Sequence, residues 1–361
     1  MKAILMLEDG KSFAGEALEG GEKIGEVILN TAVVGYQEML TDPVNAGKIL
    51  VLTYPLIGNY GCAPKFNETN QVWLAGLAIK EKSRIFSNWQ AKESLDDFIK
   101  KHNLLTIAEV DTRTLAVHLR QKGQLFGIIS TGCFEAKELL AKLNDFRKTK
   151  KESLLPQISV SKPQQLGQAK AKAKAKKIAI LDLGITQGIL RQLETLGLSV
   201  TLLPYNTLAQ EILRLKPDGL IISGGPEEDA GLKEVALNVK ALVGRLPILG
   251  ISTGHQVLAS ALGAKITKMK LGHRGVNYPI HNPASYKGEI TVQNHSWVVD
   301  IDSLNKIKQI KVTGYNLNDR TVEEMESKKL KLIGVQYIPA SPGLEEVNAV
   351  FYRFKKMLGR N

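Results

Sequence analysis

The sequence predicts an α/β protein of two domains, a mixed α+β domain followed by one built on a mainly parallel sheet. Three observations carry this. At 361 residues with 43% hydrophobic content, the chain is long enough for two cores. From Ile178 onward, short apolar runs alternate with helical spacings, as repeated βα units do. Through residue 145 the apolar runs are instead joined by loops rich in Gly, Pro, Asn and Asp. The expected division is therefore 1–145, a basic linker over 146–177, and 178–361.

In the first domain, Met1 to Leu7 reads as a strand ending in an Asp9-Gly10 turn. Glu26–Asn30 and Lys48–Leu52 read as further strands, with helices confined to Ala91–Lys101 and Thr114–Gln121. In the second, strands are expected at Ile178–Leu183, Val200–Leu203, Gly219–Ile222 and Pro247–Leu249. Helices are expected at Gln187–Leu196, Leu208–Leu215, Lys233–Val243, from Val257 to Leu262, and at Glu345–Leu358. In the last of these, Val347, Val350, Phe351 and Phe354 fall on one face, which should meet the sheet.

The formal net charge of +12 raises nucleic acid as a partner. Its location argues otherwise. Between Phe146 and Lys177 ten basic residues face one acid, a local excess of +9, and much of it lies in the low-complexity tract Ala169–Lys177. A solvated linker is expected, with no nucleic-acid partner. No run approaches the roughly 20 apolar residues of a membrane span, and Met1–Gly10 lacks the pattern of a signal peptide. A cytoplasmic protein is expected. Cys62 and Cys133 allow neither a disulfide framework nor a cysteine metal site, and read as packing residues. Trp73, Trp89 and Trp297 read as core or interface anchors.

The segment Gly250-Ile251-Ser252-Thr253-Gly254-His255-Gln256 has the frame of a nucleophile elbow. Glycines two residues either side of Ser252 permit a sharp strand-to-helix turn that presents one side chain beside a helix N-terminus. Segments along nearly the whole chain resemble the small subunit of carbamoyl-phosphate synthetase. They include Gly35–Pro43, Leu52–Gly61, Ser87-Asn88-Trp89, Asp111–Leu115, Gly254-His255-Gln256, Gly272–Gly275, Gln293-Asn294-His295 and Val335-Gln336-Tyr337. The resemblance implies a flavodoxin-like class I glutamine amidotransferase domain after the N-terminal small-subunit domain. It also implies a large-subunit partner that makes carbamoyl phosphate, for arginine or pyrimidine synthesis. ATP and Mg would act only on that partner, so no cofactor or metal is expected on this chain. No Gly-rich phosphate loop followed by Lys-Ser/Thr occurs here.

Residue by residue, the resemblance exposes a damaged catalytic set. The family's elbow carries a cysteine, whose thiolate attacks the amide; here it is Ser252. Ile338 stands at the family's histidine and Ala340 at its glutamate, in a segment one residue shorter than the pattern. Among glutamine-contacting positions Val44 replaces a serine, Glu227 replaces a glycine, and Ser296-Trp297 replaces Gly-Phe. Gly225, Thr253, Gln256 and Asn294 complete the remnant pocket. Glu227 would add bulk and negative charge where backbone must approach the ligand. The leading expectation is a small subunit whose own glutamine hydrolysis is lost, serving an ammonia-using synthetase. A conventional glutamine-hydrolysing subunit is one alternative. A serine hydrolase using the G-x-S-x-G elbow is another, if His273, His281 or His295 lies within reach of Ser252 Oγ.

Overall fold

A computed structural model describes residues 1–149, 152–166, 175–284, 287–343 and 346–359. The chain divides into two compact units, Met1–Lys151 with Lys270–Gly275, and Glu152–Met269 with Val276–Asn361.

Seven strands of the first unit close into a barrel. Its order is Lys2–Leu7, Ser12–Ala17, Thr106–Ala108, Gly76–Ala78, Lys48–Leu52, Glu22–Asn30 and Leu125–Ser130. Period-two alternation explains how the barrel buries both of its faces. Leu5, Leu7, Val27, Ile49, Val51, Ile107 and Ile129 share one core cluster. Their neighbours point the other way, Met6 and Ile128 meeting Leu139 and Leu143 of the helix Ala136–Lys148. Ile28, Leu50 and Leu77 meet Phe98 and Ile99 of the helix Leu95–Lys101. That helix starts later than the expected Ala91, because Ser94 caps it by accepting from Asp97 N. Asp111 caps Thr112–Lys122 in the same way, through Thr114 N. The helices Tyr36–Thr41 and Ala136–Lys148 were not expected, and the second runs across the anticipated domain boundary at 145.

The second unit is a ten-stranded sheet with a parallel centre. Its parallel strands run in the order Ser199–Pro204, Lys177–Asp182, Gly219–Ile222, Ile248–Ile251, Leu332–Val335, with antiparallel strands added beyond both ends. In chain order this is 2-1-3-4-5, the doubly wound flavodoxin-like arrangement. Alternate residues feed the two faces. Ala179, Leu181, Leu220 and Ile222 pack with Ile212, Val235, Val239 and Leu258 of three helices. Ile178, Ile180, Ile221 and Leu249 pack with Ile189, Leu193, Phe351 and Phe354 of two others. Val347 and Val350 join that face as expected, although the last helix is Ala349–Met357 and is capped by Asn348.

Part of the stretch read as linker is built into this unit. Gln164–Leu166 adds an antiparallel edge strand to Ser199–Pro204, and Val160 N donates to the buried Asp182 carboxylate. Leu155 is fully buried. Its composition hid this, since the few apolar side chains are diluted by polar neighbours. Residues 150, 151 and 167–174, most of the basic tract, lie outside the described residues, as do Leu344 and Glu345. Trp89 is not a core residue, being 88% exposed with Lys65 over its ring. Cys62 is buried and Cys133 partly so, both free. Among the described residues no helix is long and apolar enough to cross a membrane.

Candidate functional site

Strands Gly219–Ile222, Ile248–Ile251 and Leu332–Val335 run parallel and adjacent. Their carboxyl ends therefore bring together Gly224–Asp229, Ser252 and Tyr337–Ala340, the segments singled out from sequence. This is where ligands bind in open α/β sheets.

Ser252 holds φ 53 and ψ −114 between the strand and the helix Thr253–Ala261. That is a costly conformation for a side chain with a Cβ, and such strain collects at functional turns. Its neighbours enforce it. Ser252 N donates to Val335 O at 2.8 Å, while Ser252 O accepts from His255 N and Gln256 N at 2.9 and 3.2 Å. Gly254 is required because a Cβ there would strike the Ile222 carbonyl, and Gly225 because one would strike Leu183 O. Thr253 Oγ1 donates to Gly225 O, tying the two loops. The helix begins directly after Ser252 rather than at Val257, since the elbow hands its own carbonyl to the first turn.

The elbow backbone is intact, but among the described residues no proton acceptor is hydrogen-bonded to its hydroxyl. Ser252 is 4% exposed, and its Oγ makes no hydrogen bond to any described residue. Ile338 bridges Val292, donating its N–H to Val292 O at 2.9 Å. Pro339 O accepts from Gln192 Nε2 at 2.8 Å, and Ala340 O from Asn348 Nδ2 at 3.1 Å. Gln192 Oε1 also accepts from Asn348 N, so one buried amide staples the segment to the last helix. These residues carry no titratable group.

Among the described residues no histidine hydrogen-bonds Ser252 Oγ. His255 is buried and its pKa is pushed down to about 3 by loss of solvent, so it is neutral and a feeble base. His295 is buried with its ring nitrogens on Trp297 O and Gln293 Oε1, both at 3.2 Å. His273 is also buried, and His281 only partly.

Glu227 is 7% exposed, and its role differs from sequence expectation. Rather than merely crowding the pocket, its carboxylate is gripped. Oε2 accepts from Ser296 N at 2.7 Å; Oε1 accepts from Trp297 N at 3.1 Å and from Gln256 Nε2 at 3.0 Å. Gln256 Nε2 also reaches Trp297 O at 2.9 Å and Gln336 Oε1 at 3.3 Å. Next in sequence, Glu228 accepts from Trp297 Nε1 and pairs with Lys268, whose ammonium lies 5.7 Å from the Trp297 ring centre. Asp229 accepts from Ser153 Oγ, Leu154 N and Gly231 N. Sequence reasoning missed the roles of Glu228, Asp229 and Lys268; the acidic run Glu227-Glu228-Asp229 was the available signal. Asn294 is buried beside this network in sequence. Val44 belongs to the first unit, buried on the turn Pro43–Asn45, its N–H donating to Asp42 and its carbonyl accepting from Lys48 Nζ.

Comparison with known proteins agrees with the two-domain fold. Residues 5–129 match the family model for the carbamoyl-phosphate synthase small chain, CPSase domain, and residues 179–357 match glutamine amidotransferase class-I. The chain is 38% identical to the carbamoyl phosphate synthase small chain of Syntrophotalea carbinolica, covering 100% of this chain and 99% of that one. It is 39% identical to the pyrimidine-specific small chain of Bacillus subtilis, covering 99% and 96%. To the chloroplastic small chain of Oryza sativa it is 36% identical, covering 99% and 82%. Spanning both domains and nearly the full length of such relatives, the chain belongs to the carbamoyl-phosphate synthase small chain family, with a class I glutamine amidotransferase domain.

Proposed function

We propose that this chain is a small subunit without glutaminase activity, pairing with a large subunit that makes carbamoyl phosphate from bicarbonate, ATP and ammonia. The observation that carries it is a strained elbow whose Ser252 Oγ has no hydrogen-bonded base among the described residues. A serine hydroxyl needs such a base to attack an amide. Ile338 and Ala340 supply none, and loss of triad members costs on the order of 10⁴ to 10⁶ in rate. The remaining work of the chain is to pack on its partner. ATP and Mg²⁺ chemistry belongs to that partner, and glutamine is not the nitrogen source. The purified chain, alone and with its large subunit, should release no glutamate from glutamine above a no-protein control. Glutamate release abolished by Ser252→Ala would overturn the proposal.

The retained elbow backbone supports a second reading, a serine hydrolase. Fluorophosphonate labelling separates the two. An inert elbow leaves Ser252 unlabelled, whereas labelling that disappears in Ser252→Ala would favour the hydrolase.

A further inference from the structure

We infer that Glu227 is a built-in occupant of the glutamine pocket, its carboxylate filling a cradle that otherwise takes the carboxylate of an amino-acid ligand. The inference deepens the proposed loss of glutaminase and rests on it for where the pocket lies.

Two consecutive backbone N–H groups, of Ser296 and Trp297, and the side-chain amide of Gln256 converge on one small buried volume. Adjacent main-chain donors aimed at one point form an anion-binding concavity, and a side-chain amide adds direction. Both oxygens of the carboxylate are used, Oε2 by Ser296 N and Oε1 by Trp297 N and Gln256 Nε2. The cradle adjoins the elbow, since Gln256 lies one turn beyond Ser252 on the same helix and Gly224 faces the Ser252 side chain. The loop is held over it from outside. Glu228 fastens to Trp297 and Lys268, and Asp229 to Ser153, Leu154 and Gly231. Three consecutive acids thus fill the cradle and fix the loop that fills it.

A free ligand carboxylate must displace Glu227, which is tethered and therefore present at high effective concentration. Removing the side chain while keeping the fold leaves the same donors for a soluble carboxylate. The loop anchors at Glu228 and Asp229 remain in such a variant.

The full chain is compared as wild type, Glu227→Ala and Glu227→Gln, by calorimetric titration and thermal unfolding with propionate, glutamine, or chloride at equal ionic strength. Expected is saturable binding of propionate and glutamine to Glu227→Ala alone. A ligand at ten times its Kd then shifts that variant's unfolding equilibrium about elevenfold. Wild type and Glu227→Gln, whose cradle stays filled, should respond to neither. A folded Glu227→Ala that ignores both ligands overturns the inference, as does wild type that binds glutamine equally well. If Glu227→Ala does not fold unaided, refolding yield in propionate against chloride reads the same cradle. Rescue by propionate supports occupancy, and equal yields contradict it. Because each readout is binding, a wild type that hydrolysed glutamine would refute the proposed function separately.

Discussion

Replacing Ser252 by glycine should stabilise the protein. At φ 53 and ψ −114 the residue sits where a Cβ is crowded, and a conformation of this kind costs about 1–3 kcal/mol for a non-glycine residue. For glycine it is the mirror image of an ordinary extended conformation and carries no such cost. Against that relief stands the extra freedom glycine gains in the unfolded chain, about 0.5–1 kcal/mol. Ser252 Oγ bonds to no described residue, so its loss removes no hydrogen bond there. The net expectation is a gain of about 0–2.5 kcal/mol, which for a unit of roughly 200 residues raises Tm by up to about 10 °C. Differential scanning calorimetry, with chemical denaturation as a check, measures it. A lower Tm in Ser252→Gly would refute the reasoning, because the strain would then be repaid by contacts not seen around the elbow.

Two further outcomes follow from the same site. His255, held neutral with its pKa near 3 against an ordinary value of 6.5, must be protonated on unfolding below pH 6.5. Its contribution is full above that pH and falls by about 1.4 kcal/mol per unit as pH drops toward 3. Urea titrations at pH 7 and pH 5.5 should show that slope flattened in His255→Gln, and an unchanged slope would contradict the burial argument. Rebuilding the triad as Ser252→Cys, Ile338→His and Ala340→Glu should restore no glutaminase while Glu227 is present, and measurable glutaminase once Glu227→Gly is added. Recovery from the triad changes alone would show that Glu227 does not block the pocket.

The elbow was legible in the sequence because its requirements are local. Two glycines and one polar residue at fixed spacing state a strand-to-helix turn, and the chain turns there around Ser252. The parallel sheet was legible for a similar reason, each βα unit declaring its own period. The barrel of the first unit was not. Strands as short as Gly76–Ala78 and Thr106–Ala108 hold too few residues to show alternation, and they are completed by partners far along the chain. The helix Ala136–Lys148 was missed because it buries only Leu139 and Leu143 on an otherwise charged surface. Glu227 was legible as an intruder but not as an occupant. The backbone donors that satisfy it lie 69 and 70 residues away in sequence and the side-chain donor Gln256 29 away, and no local pattern reports such a meeting.

The most direct test of the central claim is carbamoyl phosphate formation by the complex of this chain with its large subunit, comparing glutamine with ammonium chloride as nitrogen donor. Turnover with ammonium and none with glutamine is predicted. Turnover with glutamine that Ser252→Ala abolishes would contradict the account, showing that a base does reach Ser252.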